Sequence, residues 1–214
     1  MAEGTFLKTT GNYRSLRAYR VSECIYDITY YFAHKFLGRT DRTIDQMVQA
    51  ARSGKQNIAE GSAAAMGSTE TEIKLTNVAK ASLQELLIDY EDYLRVRGLC
   101  QWPANDARTL KARRVCAAHL DSAYYREAIQ VRSDETIANI AIVLIHQCDF
   151  LLRRLLEAQQ RKFLAEGGVR EKMFNARRGR RGGWQTAQSS SDKSDKSDKS
   201  EGAKEGADKS EESD

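Results

Sequence analysis

The strongest constraint on the fold of this chain comes from two adjacent segments between residues 41 and 99. In the first, apolar side chains recur at three- and four-residue steps from Ile44 to Ile58, and in the second from Ile73 to Leu94. This spacing places the apolar side chains on one face of an α-helix, so both segments are predicted to be amphipathic helices. The break at residues 66–68 is short, which favours an antiparallel helix pair.

The rest of the folded region also indicates helices. The sequence contains a single proline, Pro103, and few alternating β-branched runs. Residues 13–37 predict a first helix. From Ile137 to Ile145 only Asn139 is polar, which predicts a last helix that is buried on nearly every side, either in the centre of a bundle or at a subunit interface.

Several residues mark expected helix ends. Thr69 followed by Glu72 predicts a capping box, Gly98 predicts the end of that helix, and Ser133 predicts the N-cap of the last helix. Asn105 or Asp106 is expected to cap a helix within residues 100–133. Whether these residues form one helix or two is left open by the sequence.

Charge divides the chain into two parts. Residues 189–214 contain five Lys against nine Asp and Glu, a net charge of −4, so residues 1–188 carry 29 Lys and Arg against 21 acids, a net charge of +8. A basic body indicates an anionic partner, with nucleic acid as the first candidate, although many helical proteins are mildly basic. We predict a flexible leader over residues 1–12, a helical bundle over 13–166, a basic Arg/Gly-rich linker over 167–188 and a disordered acidic tail over 189–214.

The second helix holds a group of polar and glycine residues among apolar ones. Glycine inside a helix costs up to ~1 kcal/mol relative to alanine, so Gly54 and Gly61 predict a close approach of another helix or subunit. Arg52, Asn57 and Glu60 are interpreted as a structural hydrogen-bond network.

These residues belong to a larger pattern. Arg52-Ser53-Gly54-Lys55-Gln56-Asn57-Ile58-Ala59-Glu60-Gly61, then Ser68, Glu72 and Val78 to Leu86, resembles the four-helix bundle proteins of the 23S rRNA intervening-sequence family. That family includes the accessory variability protein of diversity-generating retroelements. Asp89 to Arg95, together with Trp102, resembles the family's suffix-domain branch. The resemblance covers roughly residues 13–165.

The resemblance has implications for fold and function. It implies an antiparallel up-and-down four-helix bundle that assembles as a homo-oligomer, with a ring-like homopentamer as the family arrangement. It also makes a reverse transcriptase or a ribosome-associated RNA a possible partner. Together with the periodicity, it leads to the prediction of an all-α bundle with a disordered C-terminal tail.

The leading functional hypothesis is a non-enzymatic nucleic-acid-binding accessory or scaffold protein without a cofactor. Cations that displace counterions from phosphates would give salt-dependent binding with little sequence preference. The candidate contacts are Arg14, Arg17, Arg20, Lys55, Arg113, Arg114, Arg177, Arg178, Arg180 and Arg181. Aromatic residues near the first three arginines could stack bases, but we interpret Tyr26, Tyr30 and Phe32 as core residues.

Two other functional classes stay open. One is a protein–protein adaptor that does not bind nucleic acid. The other is a ribonuclease, because Arg114 and His119 match the R-x4-6-H signature of HEPN nucleases, where arginine stabilises phosphate charge and histidine transfers a proton.

The cysteines indicate a reducing environment. Cys24, Cys116 and Cys148 lie among apolar or small residues, and no CxxC motif occurs. We therefore expect free thiols in a cytoplasmic protein, with a zinc site built on Cys116 and His119 as an alternative. No stretch is typical of a signal peptide or reaches the ~18 apolar residues of a membrane helix, so no membrane association is expected.

Overall fold

The computed structural model of the protein describes residues 12–65 and 67–166, together with Glu171, Phe174 and Arg178. The described residues contain no strand, so the all-α prediction is confirmed. The described residues between 12 and 166 contain one short 3-10 helix and six α-helices. They are the 3-10 helix Tyr13–Ser15, α1 Arg17–Phe36, α2 Thr43–Ala64, α3 Thr69–Val96, α4 Ala107–Ala118, α5 Ser122–Ala128 and α6 Asp134–Glu166.

The chain divides into two units, Met1–Gly168 and Val169–Asp214. In the second unit, Glu171, Phe174 and Arg178 are helical and exposed. The rest of the predicted linker and the whole acidic tail lie outside the described residues, as do Arg177, Arg180, Arg181 and the leader before Asn12.

The core of the first unit lies between four long helices. α2 packs against α1 and α3, and α6 packs against the same two helices. The two short helices complete this unit, with α4 on α6 and α5 on α1. The largest fully buried side chains come from α1, α2, α3, α5 and α6 and include Phe32, Met47, Leu83, Tyr90, Tyr125 and Leu144.

The first helix begins later than predicted. Leu16 is extended (φ −71°, ψ 123°) and separates the 3-10 helix from α1. The Ser15 hydroxyl donates to the carbonyl oxygen of Asn12 (2.7 Å), a local bond that competes with helix formation. Arg14 therefore does not share a helix with Arg17 and Arg20.

Most of the predicted helix ends are confirmed. Gly98 is the glycine with positive φ (66°) just beyond α3, and the Ser133 hydroxyl accepts from the backbone N–H of Thr136 (3.3 Å). Asp106 caps α4 by accepting from the N–H of Arg108 (2.7 Å). The segment over residues 100–133 forms two helices.

The predicted Thr69–Glu72 capping box is wrong. Ser68 is the N-cap of α3 and accepts from the N–H of Thr71 (3.2 Å). The Glu72 side chain does not bond the backbone at the helix end. Its Oε1 instead accepts from Gln159 Nε2 of α6 (3.0 Å). Gln159 also donates to Thr76 (3.1 Å), so a tertiary contact replaces the expected local one.

Gly54 lies where α2 and α3 approach closely. A Cβ atom at Gly54 would lie 2.8 Å from both Cγ and Cδ2 of Leu83, which is nearly fully buried. At Gly61 a Cβ atom would lie 3.4 Å from Cβ of Leu75. The predicted close helix approach is therefore confirmed, and it occurs within the chain.

The apolar stretch of α6 is buried within its own unit. Residues 137–145 are buried except for Ile140, which is half-buried. In the described part of the chain, Asp134–Ala165 is long and apolar enough to cross a membrane. This property was not predicted from the sequence, which contains no run of ~18 consecutive apolar residues. The most apolar stretch of 18 residues in this helix is 56% buried inside the protein, and a core helix has the same length and composition.

Candidate nucleic-acid interface

A cleft opens beside α4, and Asn139 holds one of its walls in place. Asn139 is 3% exposed in α6, and its side-chain oxygen accepts from the backbone N–H of Trp102 (2.7 Å). Its Nδ2 donates to the carbonyl oxygen of Cys100 (2.9 Å). The one polar residue of the apolar stretch therefore anchors the turn between α3 and α4, with the Trp102 indole N–H directed to Glu135 (3.4 Å).

The opposite wall is formed where α4 meets α5. The buried Tyr125 donates its hydroxyl to the carbonyl oxygen of His119 (3.1 Å), and Gln147 of α6 donates to that of Cys116 (3.2 Å). Burial raises the pKa of Tyr125 and raises the pKa of Cys116 to about 11, so both groups are neutral at physiological pH. These bonds fix α4 against α6 and α5 against the end of α4.

The resulting cleft has a volume of about 520 Å³ and combines an apolar floor with a basic rim. It is lined by Trp102, Arg108, Lys111, Ala112, Val115, Cys116, Tyr124, Tyr125, Ala128, Ile129, Arg132, Thr136 and Ile140. We call it the α4 cleft. The aromatic rings of Trp102 and Tyr124 lie on its walls together with three cationic side chains.

The cations of α4 differ in how far they are neutralised. The helix carries four cations and no acid. Arg108 pairs with Asp106 (2.9 Å) and Glu135 (3.7 Å), and its guanidinium lies 5.1 Å from the Trp102 ring centroid. The other three are exposed and make no ion pair with any described residue, so they are available to an anionic partner. They are Lys111, Arg113 and Arg114.

The predicted contacts at the start of α1 are also exposed. Arg17 and Arg20 lie three residues apart on α1 and make no ion pair with a described residue. Arg14 contacts its neighbour, with its guanidinium 5.8 Å from the Tyr13 ring centroid.

A second, larger groove runs along α1. It has a volume of about 730 Å³, and we call it the tyrosine groove; it is lined by Tyr26, Asp27, Tyr30, Tyr31, His34, Lys35, Arg126, Ile129 and Gln130. Phe32 is fully buried, as predicted, but Tyr30 is 51% exposed, so the interpretation of Tyr30 as a core residue is wrong. Lys55 is half-buried, with Nζ 4.2 Å from the ring centroid of Tyr26.

The predicted polar network of α2 is partly formed. Asn57 donates to the carbonyl oxygen of Ser53 (2.9 Å), and the Ser53 hydroxyl bonds that of Ser82 on α3 (2.9 Å). Arg52 and Glu60 are exposed. Their participation in the network stays a prediction.

The residues of the ribonuclease alternative lie at the end of α4. Arg114 is exposed within the helix, whereas His119 is its C-cap and stacks on Tyr124 with ring centroids 3.8 Å apart and planes 6° apart. For the zinc alternative, the described residues contain no group of three or more His, Cys, Asp or Glu able to hold a metal ion.

The four cysteines are free thiols. Three are buried as predicted, while Cys100 is exposed. Burial raises the pKa of Cys24 to about 12 and also raises that of Cys148.

Several lining residues were missed as site residues from the sequence. Arg108, Lys111 and Arg132 count toward basic composition, but only the fold brings them together with Trp102 and Tyr124. The four-residue spacing of Tyr26, Tyr30 and His34 was a readable signal for a shared helix face. No protein-family model matches this chain, and no match is found among curated proteins or solved structures.

Proposed function

We propose that this protein binds nucleic acid without cleaving it, as an accessory or scaffold protein that acts as a homo-oligomer. The observation that carries the proposal is the set of unpaired cations on α4, Lys111, Arg113 and Arg114, next to a cleft with aromatic walls. Each exposed cation that meets a phosphate releases a counterion, so this surface would bind with a strong salt dependence and little sequence preference.

The arrangement of α4 favours a nucleic acid over other anions. Lys111 and Arg114 are three residues apart and share one face of the helix, and with Arg113 they form a row of unpaired positive charge along about 4.5 Å of its axis. A row suits successive phosphates of a chain, whereas a single small anion would need converging donors. Arg17 and Arg20 add exposed positive charge on α1.

The architecture that we propose for the first unit is an antiparallel up-and-down four-helix bundle made of α1, α2, α3 and α6. The short link between α2 and α3 and the order of helix contacts support it. With the resemblance to the 23S rRNA intervening-sequence family, this bundle would assemble as a pentamer. A reverse transcriptase or an RNA is the partner that the resemblance implies.

The test measures binding of single- and double-stranded RNA and DNA across a salt series. The variant Lys111→Gln/Arg113→Gln/Arg114→Gln is compared with Lys74→Gln/Arg95→Gln/Arg97→Gln, which removes equal charge from exposed positions on α3. Losing three phosphate contacts should reduce the slope of log K against log salt by about 2–3 for the α4 variant only. Light scattering of each protein gives the oligomeric state.

Equal effects of the two triple variants would overturn the proposal that α4 is the interface. Cleavage of the bound RNA that is lost in both Arg114→Ala and His119→Ala would support the ribonuclease hypothesis instead. Absence of binding at low salt would favour the protein–protein adaptor.

A further inference from the structure

The tyrosine groove presents three rings in a row on the surface of α1. Tyr26, Tyr30 and His34 follow one another at four-residue steps, so their Cα atoms are spaced ~6 Å apart along the helix axis. The ring centroids of Tyr26 and Tyr30 are 6.3 Å apart, and those of Tyr30 and His34 are 4.3 Å apart. Nδ1 of His34 donates to the carbonyl oxygen of Tyr30 (2.7 Å), which holds the last ring in position.

The central ring of this row is open to solvent. Tyr30 is 51% exposed, although its neighbours Ile28 and Phe32 are fully buried. An aromatic ring that stays exposed in a groove, rather than singly on a convex surface, is typical of a contact surface.

Cations surround the row of rings. Nζ of Lys55 lies over Tyr26, and Lys35 bonds the Tyr31 hydroxyl and the carbonyl oxygen of Gln130 (3.5 Å). The acid that lines the groove, Asp27, is paired with Arg126 (Nη1 to Oδ2, 3.0 Å). The lining of the groove therefore carries one positive charge, that of Lys35, beyond the paired Arg126 and Asp27.

Rings together with cations match one class of ligand. Proteins bind single-stranded nucleic acid by stacking bases on aromatic side chains while cations follow the backbone. A duplex hides the faces of its bases and cannot use such rings. Resting on the function proposed above, we propose that the tyrosine groove gives preference for single strands by stacking a base on Tyr30, with Lys35 facing the backbone.

A peptide or a second copy of the chain fits the groove less well. The aliphatic residue among its lining side chains is Ile129, and this residue is 1% exposed. Aliphatic anchors of a partner would therefore contact tyrosine rings, a histidine and charged groups rather than exposed aliphatic side chains.

The experiment compares Tyr30→Ala and Tyr30→Phe in the full chain. Phe150→Ala is the matched control, because Phe150 is 52% exposed on α6 and also has an arginine near its ring. The probes are a 20-nucleotide single strand, an abasic strand of the same length and a duplex. Fluorescence anisotropy gives the affinities, and light scattering gives the oligomeric state.

We expect Tyr30→Ala to weaken binding of the base-bearing single strand about fivefold or more, as for loss of one stacked base. Binding of the abasic strand and the duplex should stay unchanged, and Tyr30→Phe should retain wild-type affinity because it keeps the ring. Phe150→Ala should have no effect on any probe.

An equal loss on all three probes, or an equal loss in Phe150→Ala, would overturn this inference. So would a change of oligomeric state in Tyr30→Ala, because the groove would then be an interface between copies. If the wild-type protein binds the abasic strand and the duplex with its usual salt dependence but Tyr30→Ala changes nothing, the inference fails while the proposed function stands. If the wild-type protein binds no probe, both fail.

Discussion

The α2–α3 pair and the α4–α5 segment are both helical, but they are held to the rest of the protein in different ways. Gly54 brings α2 against Leu83 of α3 so closely that a Cβ atom would overlap it. The α4–α5 segment buries Cys116 and Tyr125 in the core, and hydrogen bonds from Asn139 and Gln147 of α6 to backbone groups also hold it and the turn before it. A close approach at a glycine sets the first contact, whereas the second combines side-chain burial with polar anchors to the backbone.

The two regions also differ in what their polar groups do. On α2 and α3, Ser53, Asn57 and Ser82 bond to one another or to the backbone between the helices. On α4, Lys111, Arg113 and Arg114 point to solvent without an acidic partner in the described chain. Polar groups that find hydrogen-bond partners within the protein contribute to its stability, while unpaired surface cations are available for binding.

The largest expected effect tests the close contact of α2 with α3. Leu83→Ala should lower the free energy of unfolding by about 2–5 kcal/mol, because it leaves a cavity. Gly54→Ala should lower it by about 1–3 kcal/mol, because the new methyl group overpacks the contact. In the Leu83→Ala background, Gly54→Ala should become neutral or stabilising, since alanine at position 83 lacks the overlapping atoms.

Denaturant unfolding of the two single variants and the double variant measures this coupling. Gly38→Ala is the control, because no atom lies within 4 Å of the Cβ position at Gly38. Strictly additive effects of Gly54→Ala and Leu83→Ala would contradict a packing origin for the contact.

The next effect concerns the polar anchor of the α4–α5 segment. Asn139→Ala should lower the free energy of unfolding by about 1–3 kcal/mol, because it leaves the backbone N–H of Trp102 and the carbonyl oxygen of Cys100 without their partner. Local opening should also make Cys116 react faster with a thiol reagent, while Cys24 and Cys148 stay protected. Mass spectrometry of the labelled protein distinguishes the three thiols.

Asn77→Ala provides the matched control for this prediction. Asn77 makes one hydrogen bond, to the carbonyl oxygen of Ile73 (3.0 Å), on the exposed side of α3. Its replacement should change stability by about 0.5 kcal/mol or less. If both asparagine variants lose the same stability, Asn139 does not act as an anchor.

The smallest effect is a charge conflict within α3. Burial, then the carboxylates of Asp92 and Glu85, raise the pKa of Asp89 above its ordinary value of 3.8. A raised pKa favours the folded state below pH 3.8, and this contribution is lost as pH rises through the folded value. Asp89→Asn should therefore stabilise the protein at pH 7 by about 0.5 kcal/mol or less, with no gain at pH 3.

Thermal unfolding of Asp89→Asn and the wild-type protein at the two pH values measures the difference. Because asparagine has nearly the same shape, the comparison at pH 3 serves as the internal control. A gain that is the same at pH 3 and pH 7 would show that charge is not its cause.

Local signals in the sequence predicted much of the helical structure. Gly98 and Ser133 act only on their own helix ends, and both predictions are confirmed. The capping box at Thr69 is wrong because Glu72 bonds Gln159, which is 87 residues away in the chain. No pattern within one helix contains that contact.

The candidate site was less accessible to prediction. Arg113 and Arg114 were identified from basic composition, which does not depend on how the helices are arranged. The α4 cleft needed the fold, because Trp102 and Tyr124 are 22 residues apart in sequence and line one cleft only once α4 and α5 have packed on the long helices. Tyr30 was assigned to the core because its spacing does not tell which side of α1 faces α5.

The sequence by itself determined that the described part of the chain is helical, where several of its helices begin or end, and which segments carry positive charge. These properties depend on side chains within one or two turns of each other, so periodicity and composition contain them. Only the tertiary structure decided that Asn139 anchors Trp102, that Lys111, Arg113 and Arg114 lack acidic partners, and that Tyr30 faces solvent. Each of these depends on which helix lies opposite, and that is set by packing over the whole unit.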